Sequence, residues 1–396
     1  EASSASEGYV SQQEIALRPL LRTGEVLEMV PGMVVTQHSG TGKANQYFLR
    51  GFNLDHGTDF ATFVDGMPVN MRTHGHGQGY TDLNFVIPET LGSISYQKGS
   101  YYADVGDFSG AGSASLNTAS HLDHGLLQLT AGQDNYYRAL AMDSVEAAGG
   151  EWLYAVERNT YDGPWRDIDE DLDKTSLLLK HSRQLAGGDW SVTFMGYDNS
   201  WNSADQIPER AVKSGLIDEL GSLDDSVGGE SSRYSLSTSW RRDGVQVSAY
   251  AIRYDMNLWS NFTYYLDDTS NGDQFEQVDE RWIYGGQASY VWHSEAGGLA
   301  MTNRVGADVR YDDIGEVGLY HTRDRDRLGT IRSDEVGELS TGLFAENTLY
   351  WTDRLRTVLG VRYDYYDFDV DTRTDTNVNG VDLTPRHIKT VLTLWI

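Results

Sequence analysis

From about Gly125 to the C-terminus, apolar and polar residues alternate in short runs. In "LRTVLGVRYDYY", Leu355, Thr357, Leu359, Val361, Tyr363 and Tyr365 fall on one face, and Arg356, Gly360, Arg362 and Asp364 on the other. "DWSVTF" sets Trp190, Val192 and Phe194 against Ser191 and Thr193, and "RWIYGGQASYVW" sets Trp282, Tyr284, Ala288, Tyr290 and Trp292 against Gln287 and Ser289. Successive strand side chains point to opposite faces, so this period means strands with one apolar and one polar side. About twelve such segments are present, near 125–133, 136–147, 152–161, 175–184, 189–201, 233–242, 244–260, 281–294, 299–314, 338–352, 355–368 and 388–396.

The connections between them alternate in length. "EAAGG", "LAGGD", "RRDG", "EAGG" and "TDR" are tight turns, while 162–174, 202–232, 261–280, 315–337 and 369–387 are long excursions. Short turns on one side and long loops on the other predict an antiparallel transmembrane β-barrel of the outer-membrane type. Aromatics crowd the strand ends, at Trp201, Trp259, Trp292, Trp351, Tyr363, Tyr365 and Tyr366. Rings of this kind favour the headgroup level of a bilayer. A soluble sandwich, propeller or solenoid would also show period two, but would not predict the alternation of loop lengths. No run of 18 apolar residues is present for a transmembrane helix.

The formal net charge is −28, which argues against nucleic-acid binding, where clustered Lys and Arg are expected. Cysteine is absent, so disulfides and thiolate metal sites are excluded. All ten Trp lie at or beyond Trp152, whereas the first 120 residues hold 16 Gly. Two physical regimes join near Ala119–Gly125. The reading divides the chain into a mobile polar segment (1–14), a mixed α/β unit (15–119) and a β-barrel part (120–396). A short amphipathic helix is expected around Gly24–Met29, stopped by Pro31–Gly32.

In that unit "EVLEMVPGMVVTQ", "NQYFLRGFN" with Arg50, Gly51 and Phe52, "TFVDGMPVN" with Asp65, Gly66 and Pro68, and "IPETLGSISYQKGSYYADVGDFSGAGSASLNTAS" follow one another. In this order they resemble the plug domain of TonB-dependent outer-membrane receptors. The resemblance implies a plug filling a 22-strand barrel, with substrate bound outside and TonB pulling on the plug from the periplasm. Implied cargo is a scarce nutrient: a metal, a metal chelate or another small ligand. Neither cofactor nor covalent chemistry is implied, and the expected location is the outer membrane of a Gram-negative bacterium, in contact with lipopolysaccharide. Twelve strands are too few to enclose a hundred-residue plug, so the chain is expected to be part of a longer barrel. No clear TonB box is visible; only "GYV" (Gly8–Val10) could contribute to one. Arg50 is expected to be buried beside an acidic partner, costly to strand.

The stretch "MRTHGHGQGY" is the candidate substrate site. By the resemblance, Met71, Arg72, His74, His76, Gln78 and Tyr80 would sit at the plug apex, and His38 and His56 are close in sequence. On an extended backbone, His74 and His76 would share a side and could offer two imidazoles to one metal. The alternatives are contact with an organic ligand, or a loop role only. "GTGKA" around Lys43 resembles a phosphate loop superficially, but the full spacing is not met.

The long loops are rich in Asp and Glu, "RDIDEDLDK" (Arg166–Lys174) most densely. Such a surface suits divalent bridges to lipopolysaccharide and tilts the expected substrate towards cations or neutral ligands. The arginines of "TRDRDRLGTIR" (Thr322–Arg332) oppose that tilt. A passive outer-membrane pore or surface-binding protein with a retained plug is the alternative function. No nucleophile elbow or His-Glu-x-x-His motif suggests an enzyme.

Overall fold

The computed structural model describes residues 4–37, 40–376, 380–383 and 391–395, the last as backbone only. His38, residues 388–390 and Ile396 therefore lie outside the described residues.

The N-terminal unit contains β1 (Glu7–Ser11), β2 (Met33–Thr36), β3 (Gln46–Leu49), β4 (Phe52–Asn53), β5 (Phe60–Val64), β6 (Met67–Pro68), β7 (Leu91–Lys98) and β8 (Gly112–Thr118). One sheet runs in the order β1-β7-β8-β5-β6, and a second joins β2, β3 and β4. Residues 4–14, expected to be mobile, are structured. β1 pairs antiparallel with β7, and Ser11 caps the short helix α1 (Gln12–Ala16) in a reciprocal capping box with Glu14. Gly8–Val10 is therefore part of a sheet edge. The helix expected at Gly24–Met29 is a 3-10 helix, Thr23–Met29.

Two motifs turn out to be the same device. Arg50 and Gly51 both have positive φ (53° and 80°) between β3 and β4, and Asp65 and Gly66 (46° and 80°) do the same between β5 and β6. Two-residue turns of this type match the twist of a hairpin, and the second position favours glycine. Arg50 is exposed, not buried as expected, and Phe52 is 56% exposed. The turn needs Arg50's backbone, which leaves its side chain in solvent. The ionic contact belongs instead to Asp65. Its carboxylate accepts from Thr118 N at 2.8 Å and from Thr118 Oγ1 at 2.5 Å, with Lys180 Nζ 3.8 Å away.

The C-terminal region forms β9 (Leu126–Ala131), β10 (Tyr137–Ala147), β11 (Gly150–Tyr161), β12 (Leu172–Leu185), β13 (Gly188–Asn202), β14 (Gly228–Arg242), β15 (Val245–Ser260), β16 (Phe275–Ala296), β17 (Leu299–Arg323), β18 (Asp326–Thr352) and β19 (Leu355–Thr372). These eleven pair antiparallel in sequence order, and β20 (Val391–Trp395) pairs along β19. Among the described residues the two ends of the sheet, β9 and β20, do not meet, so the sheet is barrel-like but open.

Four turns at one end have positive φ at both central residues: Ala148-Gly149, Ala186-Gly187, Asp243-Gly244 and Gly297-Gly298. The opposite end carries the long connections, including 203–227 with its short helix α2 (Glu209–Lys213) and 261–274. The excursion expected at 315–337 is different. There β17 and β18 continue as a paired hairpin to Arg323–Asp326, turning on Asp324 and Arg325. Register shifts between Ile314 and Val317, and again near Tyr320, break the simple alternation.

The faces follow the sequence pattern. Leu236, Val247, Trp282, Tyr284, Tyr290, Leu343, Leu359 and Val361 point outward and are exposed. Tyr254, Met256, Leu258 and Ile283 point inward, into one core with plug residues such as Val26, Leu27, Leu54, Phe60, Val64, Met67, Ile94 and Leu116. Arg138 on β10 makes a fork to Glu89 of the plug at 2.6 and 2.8 Å, a bidentate geometry stronger than a single charge contact. The first unit thus packs on the inner face of the second.

Candidate functional site

The loop Met71–Tyr80 closes on itself. Met71 N donates to Tyr80 O at 3.1 Å and Gly79 N to Met71 O at 2.7 Å. It meets the sheet at the start of β16, just after the 261–274 connection, and so lies towards the long-loop end. The opposite end holds β1, where Glu7 is 3.8 Å from Arg356, beside the turn between β18 and β19.

The six residues expected at the apex divide into distinct roles. Met71 and Tyr80 are buried at the loop base, and Gln78 is exposed at its tip. Arg72 leaves the loop to bond Asp107 Oδ2 at 2.6 Å and Ser340 Oγ at 3.0 Å, with its guanidinium 5.2 Å from the Tyr366 ring. His74 lies flat on Tyr80, ring centres 3.9 Å apart. His76 stands edge-on to the same tyrosine at 5.8 Å, and His56 is 4.8 Å from His76.

Hydrogen bonds fix the tautomers. Gln277 Nε2 donates to Gly75 O at 2.8 Å, which turns its Oε1 towards His76 Nδ1, also at 2.8 Å. His76 therefore donates from Nδ1 and keeps its lone pair on Nε2. His74 Nδ1 accepts from His76 N at 3.1 Å, so its Nε2 donates to Tyr254 Oη at 3.2 Å. Both nitrogens of His74 are engaged within the fold. His74 and His76 do not present two free nitrogens to one point, because the turn between them replaces the extended backbone that shared-side geometry needs. Among the described residues, no group of three His, Asp or Glu converges on one point.

The loop is bonded to the wall along much of its length. Gly75 N donates to Asp279 Oδ2 at 3.2 Å, Arg281 donates to Thr73 O, and Thr73 Oγ1 donates to Glu338. Arg310 NH1 donates to Asn70 O at 2.8 Å. Arg281 in turn bonds Asp279 at 2.6–2.7 Å and Asp312 at 3.1 Å, with all three side chains fully buried. Sequence reading missed these wall residues. The available signal was an acid and an arginine two apart on one strand face, seen in Asp279-x-Arg281, Arg310-x-Asp312 and Arg362-x-Asp364. A cavity of about 90 Å³ lies below the loop, between Asn70, Arg72 and the wall residues Tyr250, Arg310 and Arg362.

Burial holds the imidazoles neutral. It pushes His74 well below its usual range, with Arg281 adding to the effect. His76 is pushed down to about 2 by burial and by Lys43, and His56 is lowered by burial. A depressed pKa means the opened loop binds protons that the docked loop excludes. Docking is therefore at full strength above about pH 6.5 and weakens as pH falls towards the docked values. Between pH 7.5 and 5, hydrogen exchange of residues 71–80, corrected for intrinsic rates, is expected to rise at least about tenfold. Unchanged exchange would refute the neutral, docked imidazoles.

Comparison with known proteins matches this architecture. Residues 1–113 match the TonB-dependent receptor plug domain, and residues 160–387 match the TonB-dependent receptor-like β-barrel. The ferric citrate transporter FecA in its unliganded form superposes with a TM-score of 0.74 at 15% identity, over 95% of this chain and 57% of that one. The copper transporter OprC gives 0.71 at 15% identity, over 100% and 60%. The outer-membrane receptor FpvA from Pseudomonas aeruginosa, bound to pyoverdine, gives 0.69 at 14% identity, over 93% and 57%. At such identities the likeness is one of fold, and the chain spans less than two thirds of each of these proteins. With both domain types matched in order, the chain belongs to the family of TonB-dependent receptors.

Proposed function

We propose that the protein is an outer-membrane uptake receptor. It binds a scarce nutrient, a metal chelate or another small ligand, at the long-loop end and passes it inward when TonB engages the plug. The outward band of Leu, Val, Trp and Tyr would face lipid, and the acidic loops would meet lipopolysaccharide through divalent ions. The carrying observation is the placement of the N-terminal unit. It packs along the inner face of the strands, with β1 at the short-turn end and the 71–80 loop at the long-loop end.

That placement puts an edge strand where a periplasmic partner could seize it. β1 is only five residues long and, among the described residues, pairs on one side alone, so peeling it breaks few bonds at a time. No covalent step is required. The cargo's binding energy and the pull on the plug do the work.

The test compares growth on a panel of iron and copper chelates in strains with and without TonB, each expressing the receptor as its sole uptake route. Growth on the cognate chelate is expected to require TonB. Equal growth without TonB would favour a passive pore, which single-channel conductance of the purified receptor would then reveal.

A further inference from the structure

The outward face of the sheet carries rings and charge together at its short-turn end. On β12, His181 and Arg183 share the outward face with Leu177 and Leu179, while Lys180 points inward. Opposite His181 is Trp152 on β11, opposite Arg183 is Trp190 on β13, and opposite Trp190 is Trp240 on β14. Directly opposed side chains on one face of an antiparallel pair touch. His181 lies on Trp152 with ring centres 4.4 Å apart and meets Trp190 edge-on at 5.9 Å. Arg183 holds its guanidinium 5.2 Å from the centre of the Trp190 ring. Gly150 leaves the room for this: a Cβ there would fall 2.7 Å from His181 Cε1 and 2.7 Å from Arg183 Cβ.

The tryptophans are held in place. Trp190 Nε1 donates to Thr238 Oγ1 at 2.9 Å, and Trp240 Nε1 to Leu185 O at 2.9 Å. The charges are not balanced. Arg242 pairs with Asp243 at 2.9 Å and donates to Ala186 O at 2.9 Å. Glu151 is bonded to His121, and Asp189 accepts from Gln184. Arg183 is exposed and, among the described residues, makes no ion pair and no hydrogen bond. Its guanidinium keeps five donors in a planar fork that matches phosphate. Further along the same strands the exposed outward residues are Val156, Leu177, Leu179 and Leu236. The cluster therefore marks the rim of the apolar band, the level at which Trp rings meet headgroups.

We infer that this cluster is a binding site for an anionic phospholipid of the periplasmic leaflet, with the headgroup phosphate on Arg183 and the glycerol and upper acyl chains on Trp152, Trp190 and Trp240. The inference rests on the membrane reading given under the proposed function. Charge complementarity is local. The chain carries a net charge of −28, so its surface as a whole repels such a lipid, and an unpaired cation among rings at the headgroup level is the exception. Charges beyond a Debye length of about 10 Å are screened, so the distant acidic loops do not cancel it. A zwitterionic choline headgroup fits less well, because its ammonium approaches Arg183 together with its phosphate. The rings supply what a free phosphate does not need: an apolar shelf continuous with the outward band.

The experiment is native mass spectrometry of the full receptor released from dodecyl maltoside micelles, with phosphatidylglycerol, phosphatidylcholine of the same acyl chains, or glycerol phosphate added. Wild type is expected to retain phosphatidylglycerol at least about fivefold more than phosphatidylcholine, and glycerol phosphate hardly at all. Arg183→Gln should reduce that preference to within about twofold. It removes no bond of the fold, so its melting temperature without lipid should equal that of wild type. Arg354→Gln, at the turn between β18 and β19, changes the net charge equally and should leave the preference intact. The inference is overturned if wild type retains the two lipids equally, if Arg183→Gln keeps the preference, or if Arg354→Gln loses as much of it. It is also overturned if glycerol phosphate competes as well as the lipid, which would mean a free-phosphate site, or if the particle has the mass of two chains and Arg183→Gln splits it, which would assign the patch to a second copy. A receptor that inserts into vesicles but shows no preference sinks this site alone, whereas one that does not partition into micelles or vesicles sinks the membrane reading.

Discussion

Arg281→Ala is expected to free the apical loop from the wall and to destabilise the receptor by about 3–5 kcal/mol. The guanidinium is fully buried and bonds Asp279, Asp312 and the Thr73 carbonyl. Removing it leaves two carboxylates inside the protein with fewer partners: among the described residues Asp312 keeps Arg310 at 2.6 Å, while Asp279 keeps only the Gly75 N–H and a 4.0 Å approach of neutral His74. A conservative change, Arg281→Lys, keeps the charge but cannot fork to both acids and the carbonyl together. It should fall between alanine and wild type. The measurement is heat-modifiable mobility on gels together with hydrogen exchange of residues 71–80. If Arg281→Ala unfolds at the wild-type temperature with an equally protected loop, the wall network does not hold the plug.

Gly75→Ala should dislodge the same loop without altering any charge. A Cβ there would lie 2.6 Å from Val278 O and 3.2 Å from its carbonyl carbon, both on the backbone of β16. A backbone contact cannot move aside as a side-chain tip can, so the loop must retreat. Overpacking of this kind costs on the order of 1–3 kcal/mol. The retreat breaks the Gly75–Asp279 and Gln277–Gly75 bonds and unfixes the tautomer of His76. Ligand affinity is expected to fall while the global melting temperature changes little. Thermal melting and ligand titration on the same preparation separate the two effects. A Gly75→Ala receptor that binds as wild type would show that the docked loop is not the ligand-ready state.

Both variants act through contacts between residues some 200 positions apart, which explains how the sequence could and could not be read. The strand segments were legible because alternation is local: Leu359, Val361 and Tyr363 are outward-facing and Arg362 and Asp364 inward-facing, as their spacing requires. The turns were legible because residue type restricts φ. The "DG" at Asp65-Gly66 and the "GG" at Gly297-Gly298 make the turns their composition demands. The His74–His76 loop lies against the start of β16, which its bonds to Gln277 and Asp279 decide.

Period two states which face a side chain occupies, but not what it meets there. Register and plug insertion settle that, so Arg281 reaching Thr73, Gln277 reaching His76 and Lys180 reaching Thr118 had no local signal. Bulges break the alternation in 315–337, so the segment has no local strand signal, yet backbone pairing tolerates them and the strands run on. Arg50 faces solvent because a hairpin turn fixes its main chain and leaves the side chain free. Sequence alone determined the alternating strands, their turns and the domain order, since these depend on neighbours along the chain. Only the folded molecule decided that Arg281 is buried between two acids and that the histidine loop is docked on the wall. Both depend on how a separate domain packs against strands far away in sequence.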